Sequence, residues 1–147
     1  MVIGIDFDDT IATNAYPDTG ILIPMAKEVI NTLKDNGHYI FLWTVRGWDS
    51  LDSEGSPLKN AQEFCDKNEI EIDNFNNTPW KVSTSPKVLA DYFIDDIALG
   101  TPLLKFHNRM VVDWYEMCFL LERVGAITKN QCDKLVKIAE EKYSEIW

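Results

Sequence analysis

Residues 2–10 read VIGIDFDDT, an apolar, β-branched run that stops abruptly at three aspartates, Asp6, Asp8 and Asp9. The run Val2–Ile5 suits a strand buried on both faces, because strands covered by helices read as continuous apolar stretches rather than alternating ones. The acids that follow need an explanation. At ~4 Å two carboxylates repel by roughly 4 kcal/mol even with an effective dielectric near 20. A cation, shared protons or an open solvated turn must offset that repulsion. Asp6 and Asp8, two apart on an extended segment, project to the same side while Phe7 points back to the core.

Outward from this stretch the chain alternates strand and helix. Pro24 suits a first helical position, Met25, Ala26, Val29, Ile30 and Leu33 form an apolar stripe, and Gly37 suits the residue after the helix. YIFLWT, from Tyr39 to Thr44, is a second buried strand. RGWDSLDSEG reads as a loop, and Ser56 then caps a helix with Pro57 first and Leu58, Ala61, Phe64 and Cys65 inward. A weak strand is expected over Ile70–Phe75, and NNTPWKVSTSP is loop. VLADYFIDD repeats the opening pattern, ending in Asp95 and Asp96. Met110–Val112 reads as a short strand, Asp113–Arg123 as a helix, and Thr128 with Gln131 as a capping box for a last helix towards Tyr143.

This order predicts an α/β fold with a parallel sheet and helices on both faces, a three-layer Rossmann-like arrangement in one domain over residues 1–147, with a helical extension from about residue 113. Ligands of such sheets bind beyond the carboxyl ends of the strands, where strand order reverses. If the first strand and YFI are neighbours, Asp6, Asp8, Asp95 and Asp96 converge on one sheet edge, where hard oxygen ligands suit Mg²⁺.

Rival motifs fail on spacing. An EF-hand counted from Asp6 would need Gly and Glu where Ile11 and Pro17 stand, there is no GxxxxGK[ST], GxGxxG or HExxH, and His38 and His107 offer no zinc spacing. The balance of 14 basic against 24 acidic residues, net −10, argues against an extended nucleic-acid-binding face but leaves room for a small phosphorylated ligand. Cys65, Cys118 and Cys132 lack CxxC spacing and point to free thiols in a reducing compartment. With no leader and no apolar run near ~18 residues, the chain is expected in the cytoplasm and off the membrane. The amphipathic C-terminal helix pair suits packing across the sheet or a contact in a homo-oligomer.

DFDDT resembles motif I, DxDx[TV], of the haloacid dehalogenase-like (HAD) hydrolases. Thr44 in FLWTVRG resembles their motif II hydroxyl, Lys87 in SPKVLADYFIDD their motif III lysine, and Asp95 with Asp96 their acidic motif IV. YPDTGILIP, LWTVRG and KVLADYFIDD are similar to a small, capless branch of that superfamily, and the likeness covers roughly Met1–Leu104. It implies a Mg²⁺-dependent phosphatase: Asp6 attacks phosphorus, Asp8 protonates the leaving group and then activates water, and Thr44 contributes its hydroxyl and amide to a phosphoryl oxygen. Lys87 steadies the phosphoryl charge, with Lys81 the competing lysine, and Arg46 is a candidate for substrate phosphate. The metal ligands implied are Asp6, the Asp8 backbone carbonyl and one or both of Asp95 and Asp96. Asp9 stands where many relatives carry Gly, so an altered turn is expected there.

The 34 positions from Thr10 to Thr44 and the 43 from Thr44 to Lys87 leave no room for a cap domain. An open site is expected, shaped by loops that hold Trp48 and Trp80, which either stack on a substrate or anchor local packing. Two alternatives stay in view: a phospho-accepting regulatory module, whose acids and lysine follow another order along the chain, and a catalytically inactive metal-binding relative.

Overall fold

In a computed structural model, which describes residues 1–47, 55–80 and 85–146, the opening stretch forms strand β1 (Val2–Ile5). A turn and an antiparallel hairpin follow, β2 (Ala12–Ala15) with β3 (Asp18–Leu22). Helix α1 (Ala26–Asp35) leads to β4 (Tyr39–Leu42), and α2 (Pro57–Lys67) to the short β5 (Asn74–Phe75). Then come β6 (Tyr92–Ile94), the antiparallel hairpin β7 (Leu103–Phe106) and β8 (Arg109–Val112), and helices α3 (Trp114–Arg123) and α4 (Lys129–Lys142).

The principal sheet is parallel, in the order β5-β4-β1-β6. The chain moves outward from β1 through β4 to β5, then returns to the far side of β1 as β6. The reversal of strand order therefore falls between β1 and β6, the position at which such sheets leave a crevice beyond their carboxyl ends.

Register explains the two faces. Ile3 pairs with Ile40, and Ile5 lies between Leu42 and Ile94; these five side chains join buried residues from all four helices in one core. The helices follow their sequence signals. Ser56 caps α2 by accepting from the Lys59 amide with Pro57 at the first position, the capping box of Thr128 and Gln131 opens α4, and Asp113 caps α3. Pro24 is the exception: it sits in a turn before Met25, the N-cap of α1, which takes a positive φ of 69°. The C-terminal helices are not an appendage, since Trp114, Cys118, Leu121, Leu135 and Ala139 belong to the same core.

On the opposite face Gly4 lies between Phe41 and Phe93. A Cβ on Gly4 would come within 2.6 Å of the Phe93 ring and 2.8 Å of the Phe41 ring, so the close approach of these aromatics needs glycine there. Phe41 packs edge-on against both Trp43 and Phe93, and Tyr39 against Trp80. This face is held by aromatic rings, and the helical residues of the core cluster lie with the other face.

Several segments differ from the sequence reading. The hairpin of β2 and β3 stands where a loop was expected, and β7 is an additional strand. β5 and β6 are shorter than the apolar runs that announced them. Among the described residues, no helix is long and apolar enough to cross a membrane.

Candidate active site

Each acidic cluster is placed by a strand end. The Asp6 amide donates to the Ile94 carbonyl at 2.9 Å, extending the ladder between β1 and β6 by one residue and bringing Asp6 beside Asp95 and Asp96. Among the described residues, Asp6, Asp95 and Asp96 form the group of carboxylates able to share a cation: one oxygen from each lies within 4.8 Å of the other two. Phe7 is fully buried and meets Phe64 of α2 edge-on at 5.5 Å, as the alternation of this segment requires. The Thr10 hydroxyl joins the two strand ends, donating to Asp6 Oδ2 at 3.4 Å and accepting from the Asp96 amide at 3.2 Å.

The electrostatics match this crowding. Burial, then the charges of Asp95, Asp96 and Asp8, push the Asp6 carboxyl up to about 7 from its ordinary 3.8, against the lowering effect of a bond from the Phe7 amide. Burial and the neighbouring Asp95 and Asp9 push Asp96 up to about 6. Three hard oxygen donors this close together form a donor set suited to Mg²⁺, which takes carboxylates and retains several waters. Asp95 also serves its own turn, because its Oδ1 accepts from the Ile97 amide at 2.9 Å.

An open cleft of about 440 Å³ contains Asp6, Asp8, Asp9, Thr44, Asp95 and Asp96, with Asn14, Trp43, Val45 and Ile97 completing its wall. A larger groove of about 580 Å³ runs between β3 and α2, lined by residues such as Thr19, Asn60 and Lys67. Its two carboxylates, Asp18 and Glu63, are not part of a group of three able to share a cation among the described residues, so the chemistry points to the smaller cleft.

Arg46 is corrected outright. It is completely buried, and its five N–H groups are all engaged: Nε and Nη2 donate to the two oxygens of Asp8 at 2.7 and 2.8 Å, Nη2 also to the Asp18 carbonyl, and Nη1 to the carbonyls of Pro17 and Pro57. Its guanidinium lies 4.7 Å from the Phe7 ring centroid. No N–H remains for substrate phosphate; the residue instead ties Asp8 to the β2–β3 hairpin and to the start of α2.

Thr44 lines the cleft, but its amide is already used, donating to Asn76 Oδ1 at 2.8 Å, while its Oγ1 accepts from the Arg46 amide at 3.3 Å. Among the described residues its hydroxyl donates to no partner. Asn76, which the sequence reading passed over, holds this turn from a positive φ of 50°. Lys87 is exposed, and no ion pair among the described residues links it to Asp6, Asp8, Asp95 or Asp96. The structure therefore does not bring the expected lysine to the carboxylates. Lys81 and Trp48 lie outside the described residues. Trp80 acts as a packing anchor, its ring 4.7 Å from that of Tyr39 on the aromatic face.

Asp9 holds the turn that follows Asp8. Its φ of 55° is the left-handed conformation in which glycine is at ease. Asp9 accepts from the Asn14 amide and takes a bidentate pair from Arg109 of β8 at 2.7 and 2.6 Å. Burial opposes the charge, but the Arg109 and Asn14 bonds prevail and hold Asp9 below the usual carboxylate range. The Asp9 carbonyl also accepts from the Val112 amide, and the Thr10 carbonyl from Trp114 Nε1. The part of the chain beyond the recognisable motifs thus braces this acidic turn from behind.

No family model and no curated protein matches the chain. Among solved structures, a conserved protein from Bacteroides thetaiotaomicron is similar, with 30% identity, a TM-score of 0.64, and coverage of 89% of this chain and 95% of that one. The two chains belong to one family. The Bacteroides protein is described only as conserved, so the shared fold comes with no activity attached. Any function must be argued from the residues at the strand ends.

Proposed function

We propose that this chain is a HAD-like, divalent-cation-dependent phosphohydrolase acting on a small phosphorylated metabolite or nucleotide in a cytoplasmic setting. The observation that carries the reading is the meeting of Asp6, Asp95 and Asp96 at the reversal point of a parallel sheet, within one cleft that also contains Asp8 and Thr44. The strand order supports a HAD-like architecture; its second helical layer has no counterpart in the core cluster of the described residues. The three buried, free thiols suit a reducing compartment.

Asp6, Asp95 and Asp96 would hold Mg²⁺, with the Asp8 carbonyl as a further oxygen donor. When bound, the ion neutralises part of the acidic cluster and polarises a phosphoryl oxygen. Asp6 then acts as nucleophile: its carboxylate oxygen forms a bond to phosphorus as the ester oxygen–phosphorus bond breaks, giving an aspartyl-phosphate and an alkoxide that takes its proton from Asp8 and leaves as the alcohol. Water cleaves the acyl-phosphate, returning Asp6 and releasing inorganic phosphate. Thr44 donates its hydroxyl to a phosphoryl oxygen. Asp8 lies beside Asp6 and accepts one Arg46 N–H on each oxygen, which leaves a lone pair on each for a proton. In this arrangement Asp8, oriented by the Arg46 fork, passes a proton to the leaving oxygen and then takes one from the attacking water.

The Arg46 pair on Asp8, and a Lys87 that makes no ion pair with the carboxylates among the described residues, favour a second reading, an inactive relative that binds metal. Phosphate release from a broad panel of phosphate esters with Mg²⁺, with Asp6→Asn as control, separates the two. Multiple turnover lost in the variant supports the hydrolase. Silence in both proteins favours the inactive binder, and a single stable phosphorylation event favours a phospho-accepting module.

A further inference from the structure

The three most exposed large apolar side chains of the described residues are Val45 at 95%, Ile97 at 86% and Leu99, which is fully exposed. Single exposed hydrophobes are ordinary on protein surfaces, but these three are gathered on the two turns that follow β4 and β6. Val45 and Ile97 belong to the wall of the acidic cleft, together with Trp43. Both turns are held by hydrogen bonds at 2.9 Å: the Gly47 amide donates to the Val45 carbonyl, and the Ile97 amide to Asp95 Oδ1. Ile97 is therefore presented by the turn that presents Asp95, and Val45 by the turn that presents Thr44, each at a fixed offset.

We propose that the ligand of this cleft is a phosphate monoester whose organic part is apolar, an aryl or alkyl ester rather than a sugar or polyol phosphate, with that part seated between Val45 and Ile97. The inference rests on the phosphohydrolase reading and narrows its substrate class. A hydroxylated organic group would need donors and acceptors on the rim. Val45 and Ile97 offer only methyl and methylene groups there, and the acids below favour the phosphoryl end once a cation is in place. The volume of about 440 Å³ falls within the range of small-molecule sites, roughly 300–1,000 Å³, and accommodates a phosphoryl group with one ring or short chain.

The test uses phosphonates, which are not hydrolysed and remove any effect of leaving-group basicity. Phenylphosphonate and methylphosphonate are titrated calorimetrically into the full chain with Mg²⁺. A single methylene in an apolar pocket is worth on the order of tenfold or more, so a ring on this half-open rim should give phenylphosphonate about a tenfold advantage, or about 1.4 kcal/mol. In the double variant Val45→Ser with Ile97→Ser the ratio should fall to near one; both side chains are exposed, and an unchanged melting temperature shows that the fold is intact. Equal affinities in the native protein, no binding of either phosphonate, or a ratio that survives in the variant overturns the proposal. Absence of ester turnover alongside a preserved preference would sink the hydrolase reading and leave the apolar subsite standing. Turnover with equal phosphonate affinities would do the reverse.

Discussion

Replacing Arg46 with Met is the most informative perturbation of this fold. Arg46 is fully buried and its partner Asp8 is only 15% exposed, so the substitution leaves a carboxylate without its counter-ion. It also strips the guanidinium bonds from the carbonyls of Pro17, Asp18 and Pro57, which hold the β2–β3 hairpin and the start of α2. Breaking a buried ion pair from one side typically costs about 3–5 kcal/mol. At roughly 2–4 °C per kcal/mol for a chain of this size, the melting temperature should fall by about 10 °C or more. Met keeps much of the packing over Phe7, so the loss measures mainly polar bonding. Adding Asp8→Leu should recover part of the deficit, because the orphaned charge goes while the three carbonyls stay unsatisfied. Thermal and urea denaturation of the native, single and double variants provide the assay. A single-variant loss under about 1 kcal/mol, or a double variant less stable than the sum of its parts, would refute the view of Arg46 as a structural clamp on Asp8.

Other expectations follow from the same contacts. Asp6 and Asp96 have folded-state pKa values raised to about 7 and about 6 from 3.8, so their contribution to stability is full below about pH 4 and is lost as pH rises through 6–7. With EDTA, native protein should lose more melting temperature between pH 5 and pH 8 than Asp6→Asn does; equal losses would count against the strained cluster. Mg²⁺ at about 100 times its dissociation constant should add about 2.7 kcal/mol at pH 8, visible as a rise of roughly 5–10 °C that Asp95→Asn diminishes. Gly4→Val drives a side chain into the Phe41 and Phe93 rings and should cost about 1–3 kcal/mol in chemical denaturation, while a neutral result would mean that the aromatic face yields freely. Asp9→Gly suits the positive φ and gives up the Arg109 pair, so its melting temperature should stay within about 4 °C of native; a collapse would show that the brace matters more than the turn.

The parts of this molecule that were legible in advance are those written in local pattern. The β1 run, the Ser56–Pro57 and Thr128–Gln131 caps and the apolar stripe of α1 each depend on neighbours within a few residues, and each stands close to where the pattern puts it. The juxtaposition of Asp6 with Asp95 and Asp96 was legible too, because both clusters end apolar runs and parallel strands deliver their ends to one edge. Arg46 was not, since its role depends on Asp8, Pro17 and Asp18 folding over it from 28 to 38 positions away. A polar residue just after a strand looks the same whether it faces solvent or is enclosed. The β2–β3 hairpin escaped because TNAYPDTG carries no alternation of apolar residues; it is tied down by Asp9 and by the Arg46 clamp. Asn76 and Arg109 escaped for a similar reason, as side chains whose partners are brought in by tertiary folding.

The central claim is that two remote strand ends build one divalent-cation site. Binding of Mn²⁺, which carboxylate oxygens also accept, can be counted directly by electron paramagnetic resonance at pH 8. The expected result is one saturable ion per chain, displaced by Mg²⁺ and lost in both Asp6→Asn and Asp95→Asn. No saturable binding, or the same binding in either variant, would contradict it.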